Sequence, residues 1–490
     1  MRRRTFCRTT LAAGIAAALP GCGYESNESS ASSTIAALTS SGAEINIETS
    51  AVSELAGELA GRLLLPADDG YNLARRIWNG MFDKRPALIA QCQNTADVAN
   101  AVAFAAERGL LVSVKGGGHS LPGKSTCDGG MMIDLSHMRT VDVDTENLTA
   151  RVDGGALLGH VDVATHQHKL GTTTGVVSHT GVGGFTLGGG YGRTDRLIGL
   201  AVDNLLSANI VIADGSTLHA SEQENPDLFW AIRGGGGNFG VATEFVYRLH
   251  PFDPTIYGGT VVFDLSKELL VLYGELSASL PNEASIEPQI GLDEDGNRIV
   301  TIEVCYAGDH ATGEQVIAPL LTLAKPRAAD LGAMEYRLLQ TGGDAFMRHG
   351  RQYYMKSGLM TALSSGAAEV IVDYMSRDDP VASWFQHLGG LPSTIAPDAM
   401  AYSHRAAALN LGIMVISDDP SEMDERIATA RAFYKDVEPY TQGFYTNLND
   451  DTEIKTWRNY GDNYLRLVEA KNQYDPKNLF RLNANILPSV

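Results

Sequence analysis

The chain has 490 residues, 44 % of them hydrophobic and 20 % charged, with a formal net charge of −20. This exceeds one compact core at roughly 100–200 residues per domain and predicts two or more folded units. The acidic balance, with no basic stripe interleaved with aromatics, argues against a nucleic-acid partner, and beyond the N-terminus no apolar run reaches membrane-spanning length.

Residues 1–22, MRRRTFCRTTLAAGIAAALPGC, join an arginine cluster to a short apolar stretch, the layout of an export signal. Arg3 and Arg4 with Phe6 resemble a twin-arginine signal, the route for proteins exported already folded. Leu19, Pro20, Gly21 and Cys22 resemble a bacterial lipobox, although Pro20 fits it poorly, and on that reading Cys22 carries a lipid anchor. The expected location is the periplasm, the cell envelope or the exterior. Residues 23–50, rich in Ser, Ala, Glu and Thr without clear periodicity, read as a flexible tether. With Cys7 and Cys22 in the signal, Cys92, Cys127 and Cys305 are too widely spaced for a disulfide framework or zinc and read as buried thiols.

From Asn94 the pattern is legible. Asn94 or Thr95 caps a helix ending at Gly109, LLVSVK is a strand running into KGGGHS, and MMIDLS is the next strand. A strand near LTARVDGG, a helix from about Leu157 to His168 and a long loop-rich stretch, GTTTGVVSHTGVGGFTLGGGYGR, follow. SANIVIADGSTLHAS reads as a hairpin turning at Asp214 and Gly215, and NPDLFWAIRGGGGNFGVATEFVYRLHP as a helix, a glycine run and a strand. This divides the body into residues 51–255, a second unit 256–440 in which the glycine clustering stops, and a C-terminal segment 441–490 whose tail reads as docked on the body.

Three glycine clusters, at 116–118, 181–190 and 234–237, suggest backbone N–H groups brought close to a large anionic ligand, for which a dinucleotide pyrophosphate fits. Gly235, Gly237 and Gly240 match G-x-G-x-x-G, but here a helix precedes the motif and a strand follows it, the reverse of a Rossmann unit. Turns and bulges alone explain one cluster easily and three poorly. His119 has no second histidine or cysteine near enough to complete a metal site, and spacing alone leaves it open between a structural histidine and a nucleophile.

VKGGGHS, GVVSHTGVGGFTLGGGYGR, DLFWAIRGGGGNFGVAT and YDPKNLFRLNANI, in this order, resemble the berberine-bridge-enzyme-like branch of the FAD-linked oxidases, within the vanillyl-alcohol-oxidase superfamily, over about residues 60–490. The resemblance implies an α+β fold: a two-part FAD-binding domain, 51–255 with 441–490, and an α/β substrate-binding domain built on an antiparallel sheet. It implies that His119 bonds covalently to the 8α-methyl carbon of the flavin, a role that suits a neutral ring nitrogen. Many relatives add a cysteinyl link four residues before the first glycine of G-x-G-G; here Val177 stands there, ahead of Gly181, so a single link is expected. By the same resemblance Lys115, Gly116, Gly117, Gly118 and Ser120 wrap the pyrophosphate, Gly181, Gly183, Gly184, Gly189 and Gly190 line the far side of the cofactor, and Val241 packs against it. Thr180 stands where relatives govern oxygen access.

Oxidation of a carbon beside a hydroxyl or amine is assisted by a base. Tyr445 matches a family Tyr-x-Asn position, facing substrate, with Asn447 on the flavin side; Lys356 or Arg405 would supply the positive charge that favours its phenolate. His404, Gln386 and His387 are further pocket candidates. The implied activity is oxidation of a small molecule, with a lean toward secondary metabolites, O₂ being reduced to H₂O₂. A dehydrogenase with another acceptor, a carbohydrate oxidase and a non-catalytic flavin-binding envelope protein stay open.

Overall fold

The computed structural model describes residues 33–378, 381–449 and 456–489, so the export-signal and lipobox readings lie outside the described residues. Three sheets build the body. In the first, Arg62–Leu64, Leu88–Gln91, Met131–Asp134 and Val112–Lys115 lie side by side in that order, the last three parallel. MMID is buried at all four positions, as expected of a strand covered on both faces. The helix Thr95–Glu107 is its crossover. Asn94 Oδ1 caps it by accepting the Asp97 N–H at 3.0 Å, and Val98, Ala101, Val102 and Ala105 form its inward stripe. The second sheet is antiparallel, in the order Thr217–Ser221, Leu205–Val211, Val241–Arg248, Thr149–Asp153, Val141–Asp144, and contains the expected hairpin.

The third is a seven-stranded antiparallel sheet: Ala328–Glu335, Thr255–Asp264, Arg298–Tyr306, Ala284–Leu292, Ala382–His387, Leu409–Ser417, Gln352–Met360. Helices Lys267–Ser279, Ser365–Met375 and Met423–Val437 cover one face, where Leu270, Tyr273, Ile371 and Phe433 share a core with Ile286, Ile302 and Phe385. Strand alternation sends the intervening residues to the opposite face, toward the glycine loops. The chain is thus an α+β fold, as the motifs imply.

The C-terminal helix Tyr464–Tyr474 packs on Pro226–Ile232. Buried Lys471 donates from Nζ to Asp475 at 2.7 Å and to the Asn238 and Phe480 carbonyls, while Asp475 accepts the Leu479 and Phe480 N–H groups. A buried pair is tolerable only when satisfied in this way, and the satisfaction ties the tail to the third glycine cluster.

Two readings need correction. From Thr34 the expected tether is a hairpin, Thr34–Leu38 with Glu44–Glu48, leading directly into the helix Thr49–Glu58. Only Ala37 and Ile47 are deeply buried, so the period-two pattern of EINIE is easily missed; Leu38 N–H donates to the Gly129 carbonyl, and Arg481 donates to that of Ser40. The loop-rich stretch contains a short helix, Val182–Leu187, whose glycines hid its propensity.

Candidate active site

A cavity of about 870 Å³ lies between the glycine loops and the uncovered face of the seven-stranded sheet. Gly116, Gly117, Gly118, Gly181, Gly183, Gly184, Gly236, Gly237 and Gly240 all line it, so the three clusters converge on one space. A Cβ on Gly117 would sit 2.4 Å from Gly181 Cα, and one on Gly181 2.3 Å from Gly117 N: the two loops cross backbone to backbone, which only glycine permits. Ser120, Thr180, Val241 and Asn447 also face the cavity, as does Val177. Cys127 is buried away from it, accepting the Ser113 hydroxyl at 3.3 Å.

His119 faces the cavity with Nε2 buried and unpartnered. Trp78 stacks on the imidazole, ring centroids 4.1 Å apart, and Tyr353 stacks on Trp78 at 3.8 Å. His179 lies 5.1 Å from His119, and His349 5.0 Å from His179. Burial first, and then the neighbouring His179 and His349, hold His119 well below the usual histidine range, so it is neutral at pH 7. Trp78, His179 and His349 reach the site from separate segments, and nothing in their spacing announces it. A glycine-lined cradle beside a neutral imidazole with a bare nitrogen fits FAD: the loops would hold its pyrophosphate and His119 its ring.

Tyr445 faces the cavity. Its hydroxyl oxygen accepts the Gly190 N–H at 3.1 Å and Asn447 Nδ2 at 2.8 Å, and Tyr191 packs 4.4 Å away. Burial, only partly offset by these two donors, pushes its pKa up to about 12. The cations expected to lower it are elsewhere. Arg405 makes a bidentate pair with buried Asp203 at 2.8 and 2.9 Å, and Lys356 reaches over Tyr434, on the helix-covered side of the sheet.

Other candidates also fall outside the cavity. His404 bonds Asn459 Oδ1 at 3.0 Å, and the same oxygen accepts the Phe444 N–H, so His404 braces the segment before Tyr445. His387 accepts the Ile286 N–H through Nδ1 and bonds the Ser277 carbonyl through Nε2, pinning a helix on the far face. Lys115 donates to the Ala74 carbonyl at 2.7 Å instead of to the cradle. Gly189 and Gly190, with φ of +129° and +83°, form the turn that delivers the N–H to Tyr445 and do not line the cavity. Gln386 does line it, its Oε1 accepting Asn410 Nδ2 at 2.8 Å.

The sheet face carries groups the motifs do not mark. Glu287 and Glu303 are register partners on adjacent strands, as are Gln289 and Thr301, and all four line the cavity. Arg193, just past Tyr191, joins them.

Residues 86–221 match the FAD binding domain family model and residues 444–487 the berberine and berberine-like model. An FAD-linked oxidoreductase of Dictyostelium discoideum is 34 % identical over 455 residues, covering 90 % of this chain and 97 % of that protein. The chain belongs to the berberine-bridge-enzyme-like FAD-linked oxidoreductases. Within that family it is 30 % identical to (R)-6-hydroxynicotine oxidase of Paenarthrobacter nicotinovorans, over 89 % of this chain and 99 % of the relative. The crystal structure of 6-hydroxy-D-nicotine oxidase from Arthrobacter nicotinovorans superposes with a TM-score of 0.79 at 27 % identity, covering 87 % of this chain and 98 % of that one. A chitooligosaccharide oxidase structure gives 0.80 at 25 % identity, over 90 % and 100 %. This berberine-bridge-enzyme-like protein is therefore an FAD-dependent oxidoreductase, and its cavity is the place where glycine loops, His119 and Tyr445 meet.

Proposed function

We propose that this chain is an exported oxidase with FAD bonded covalently to His119 alone, oxidising a carbon that bears nitrogen or oxygen in a small molecule and passing the electrons to O₂ as H₂O₂. The observation that carries this reading is the neutral, stacked His119 with a bare nitrogen in the glycine-lined cavity, which Val177 also lines at the position where a second link would need cysteine. FAD, when bound, supplies the acceptor for the hydride. The chain's own residues position the substrate. With two N–H groups donating to its oxygen, Tyr445 has its own proton free for the substrate heteroatom, so it acts as a phenol donor in the resting enzyme. Thr180 places a small hydroxyl where the resemblance puts control of oxygen access.

The test is anaerobic bleaching of the flavin across amines, aromatic alcohols and sugars, followed by peroxide assay in air. Bleaching with fast reoxidation and H₂O₂ is expected; bleaching without peroxide points to a dehydrogenase, and no bleaching at all to a non-catalytic flavoprotein. Export is proposed from Arg3 and Arg4: replacing both with lysine is expected to keep the protein inside the cell, and a fatty-acid label tests anchoring at Cys22.

A further inference from the structure

We propose that Glu287 receives the cationic nitrogen of an amine substrate, in a frame formed by Arg193, Glu303 and Gln340 that holds this carboxylate open to the cavity. The proposal rests on the reading of that cavity as the oxidation site and names its substrate class.

Both terminal nitrogens of Arg193 are committed elsewhere. It donates from Nη2 to Glu303 at 2.6 Å and from Nη1 to Gln340 Oε1 at 2.6 Å, while Gln340 Nε2 donates onward to Thr174 Oγ1 and the Gly175 carbonyl. Turning the guanidinium toward Glu287 would break bonds on both sides. Its Nε remains 3.9 Å from Glu287 Oε2, beyond hydrogen-bond reach, and has no partner. The Glu287 side chain is 9 % exposed and lines the cavity. It thus has an ion-pair neighbour at a distance and a place for another.

An acid so placed is costly unless a cation completes it. Two carboxylates against one guanidinium leave the cluster one negative charge in excess. The other arginines along the cavity are engaged: Arg351 with Asp418, Arg426 with Glu422, and Arg298 with the Arg377 carbonyl. Beside Glu287 the sheet face carries Glu303, Gln289 and Thr301, and the same cavity is also lined by Trp384, Met355 and Met414. A charged nitrogen offsets the excess charge, and the bound ammonium gives its proton to the Glu287 carboxylate so that the free amine is the form oxidised; a neutral polyol leaves the charge uncompensated.

The groups acting on Glu287 from neighbouring elements are Arg193, Glu303, the His387 backbone N–H, Asp195, Tyr273 and Cys305. Burial dominates, Arg193 offsets part of it, Glu303 adds to it, and the pKa is pushed up to about 7. Amine binding should therefore weaken as pH falls through 7.

The test uses the FAD-loaded protein and probes that differ only in the heteroatom: benzylamine with benzyl alcohol, and cyclohexylamine with cyclohexanol. Binding is read from perturbation of the flavin spectrum and turnover from anaerobic bleaching. Each amine is expected to bind at least about ten-fold tighter than its alcohol at pH 8, to lose about ten-fold between pH 8 and pH 6 as an acid of pKa 7 titrates, and to lose its preference in Glu287→Gln. Equal binding of amine and alcohol overturns the proposal, as does a preference that survives the substitution. If the variant fails to fold, the wild-type pairs and their pH series decide. Amine preference without bleaching by any compound would keep the cation site and refute the oxidase reading. Bleaching by neutral alcohols or sugars without amine preference would do the opposite.

Discussion

Trp78 lies flat on His119, ring planes 14° apart and centroids separated by 4.1 Å, so the imidazole cannot rotate out of the cavity wall without losing a stack that itself rests on Tyr353. Trp78 is fixed in turn by its indole N–H to the Met347 carbonyl, and Asn79 beside it ties the Leu121 and Tyr353 carbonyls together. A nucleophile held in place and kept neutral is the state a covalent link requires.

Wild-type protein is accordingly expected to keep its FAD through acid precipitation, and His119→Ala to release it. Trp78→Ala should slow covalent incorporation of FAD added to apo-protein and lower stability by about 3–5 kcal/mol in urea unfolding, the usual cost of deleting a buried aromatic. A wild-type protein that gives up its flavin on denaturation, or a flavin peptide carrying cysteine, would refute the single histidyl link.

The crossing of Gly117 and Gly181 sets a second expectation. Each would place a Cβ within 2.4 Å of the other's backbone, and neither backbone can yield without moving a whole loop. Gly117→Ala and Gly181→Ala should each yield protein without bound FAD, or insoluble protein. Gly184→Ala, where nothing lies within 4 Å, should fold normally. Equal FAD content in Gly117→Ala and wild type, measured by absorbance after purification, would contradict the crossing.

These sites differ in how far the sequence reveals them. The glycine loops, His119, Thr180, Tyr445 and Asn447 sit in contiguous motifs, and contiguity survives folding, so they reach the cavity together. Lys356 and His387 sit on the right strands but the wrong side, and His404 and Arg405 sit in the loop before Leu409–Ser417, outside the cavity lining. On a strand one residue decides the face: Met355 and Gln386 line the cavity, while Lys356 and His387 do not. The Glu287–Glu303 pair is invisible for a further reason. Its members meet only through strand register, and IEVCY reads as ordinary alternation until the helices claim the other face. The N-terminal hairpin escapes notice because its strands bury so little.

Arg405 tests the corrected reading of that group. Its bidentate contact with Asp203 is almost wholly buried, with 2 % and 5 % side-chain exposure. Removing one partner leaves a lone buried charge, so Arg405→Ala should cost about 3–5 kcal/mol in chemical denaturation. The folded fraction, assayed at low temperature, should bleach at the wild-type rate. A folded variant with slowed bleaching and unchanged stability would return Arg405 to the chemistry.

Tyr445 carries the last expectation. Its oxygen accepts the buried Gly190 N–H and Asn447 Nδ2; Asn447 keeps the Gly184 and Phe185 carbonyls, so Tyr445→Phe strands the Gly190 N–H, which should lower stability by about 1–3 kcal/mol. If the phenol proton steadies the substrate heteroatom as bonds change, the variant should reduce its flavin about 10–100-fold more slowly in anaerobic stopped flow, equivalent to about 1.4–2.7 kcal/mol of lost stabilisation. The pH profile separates donor from base. With its pKa pushed up to about 12, Tyr445 stays protonated from pH 6 to 10 and should add no inflection there; the one expected near 7 belongs to Glu287 and should persist in Tyr445→Phe. A wild-type rate that climbs between pH 8 and 10, with the climb abolished in Tyr445→Phe, would instead make the phenolate the base and require a cation the described residues do not bring to it.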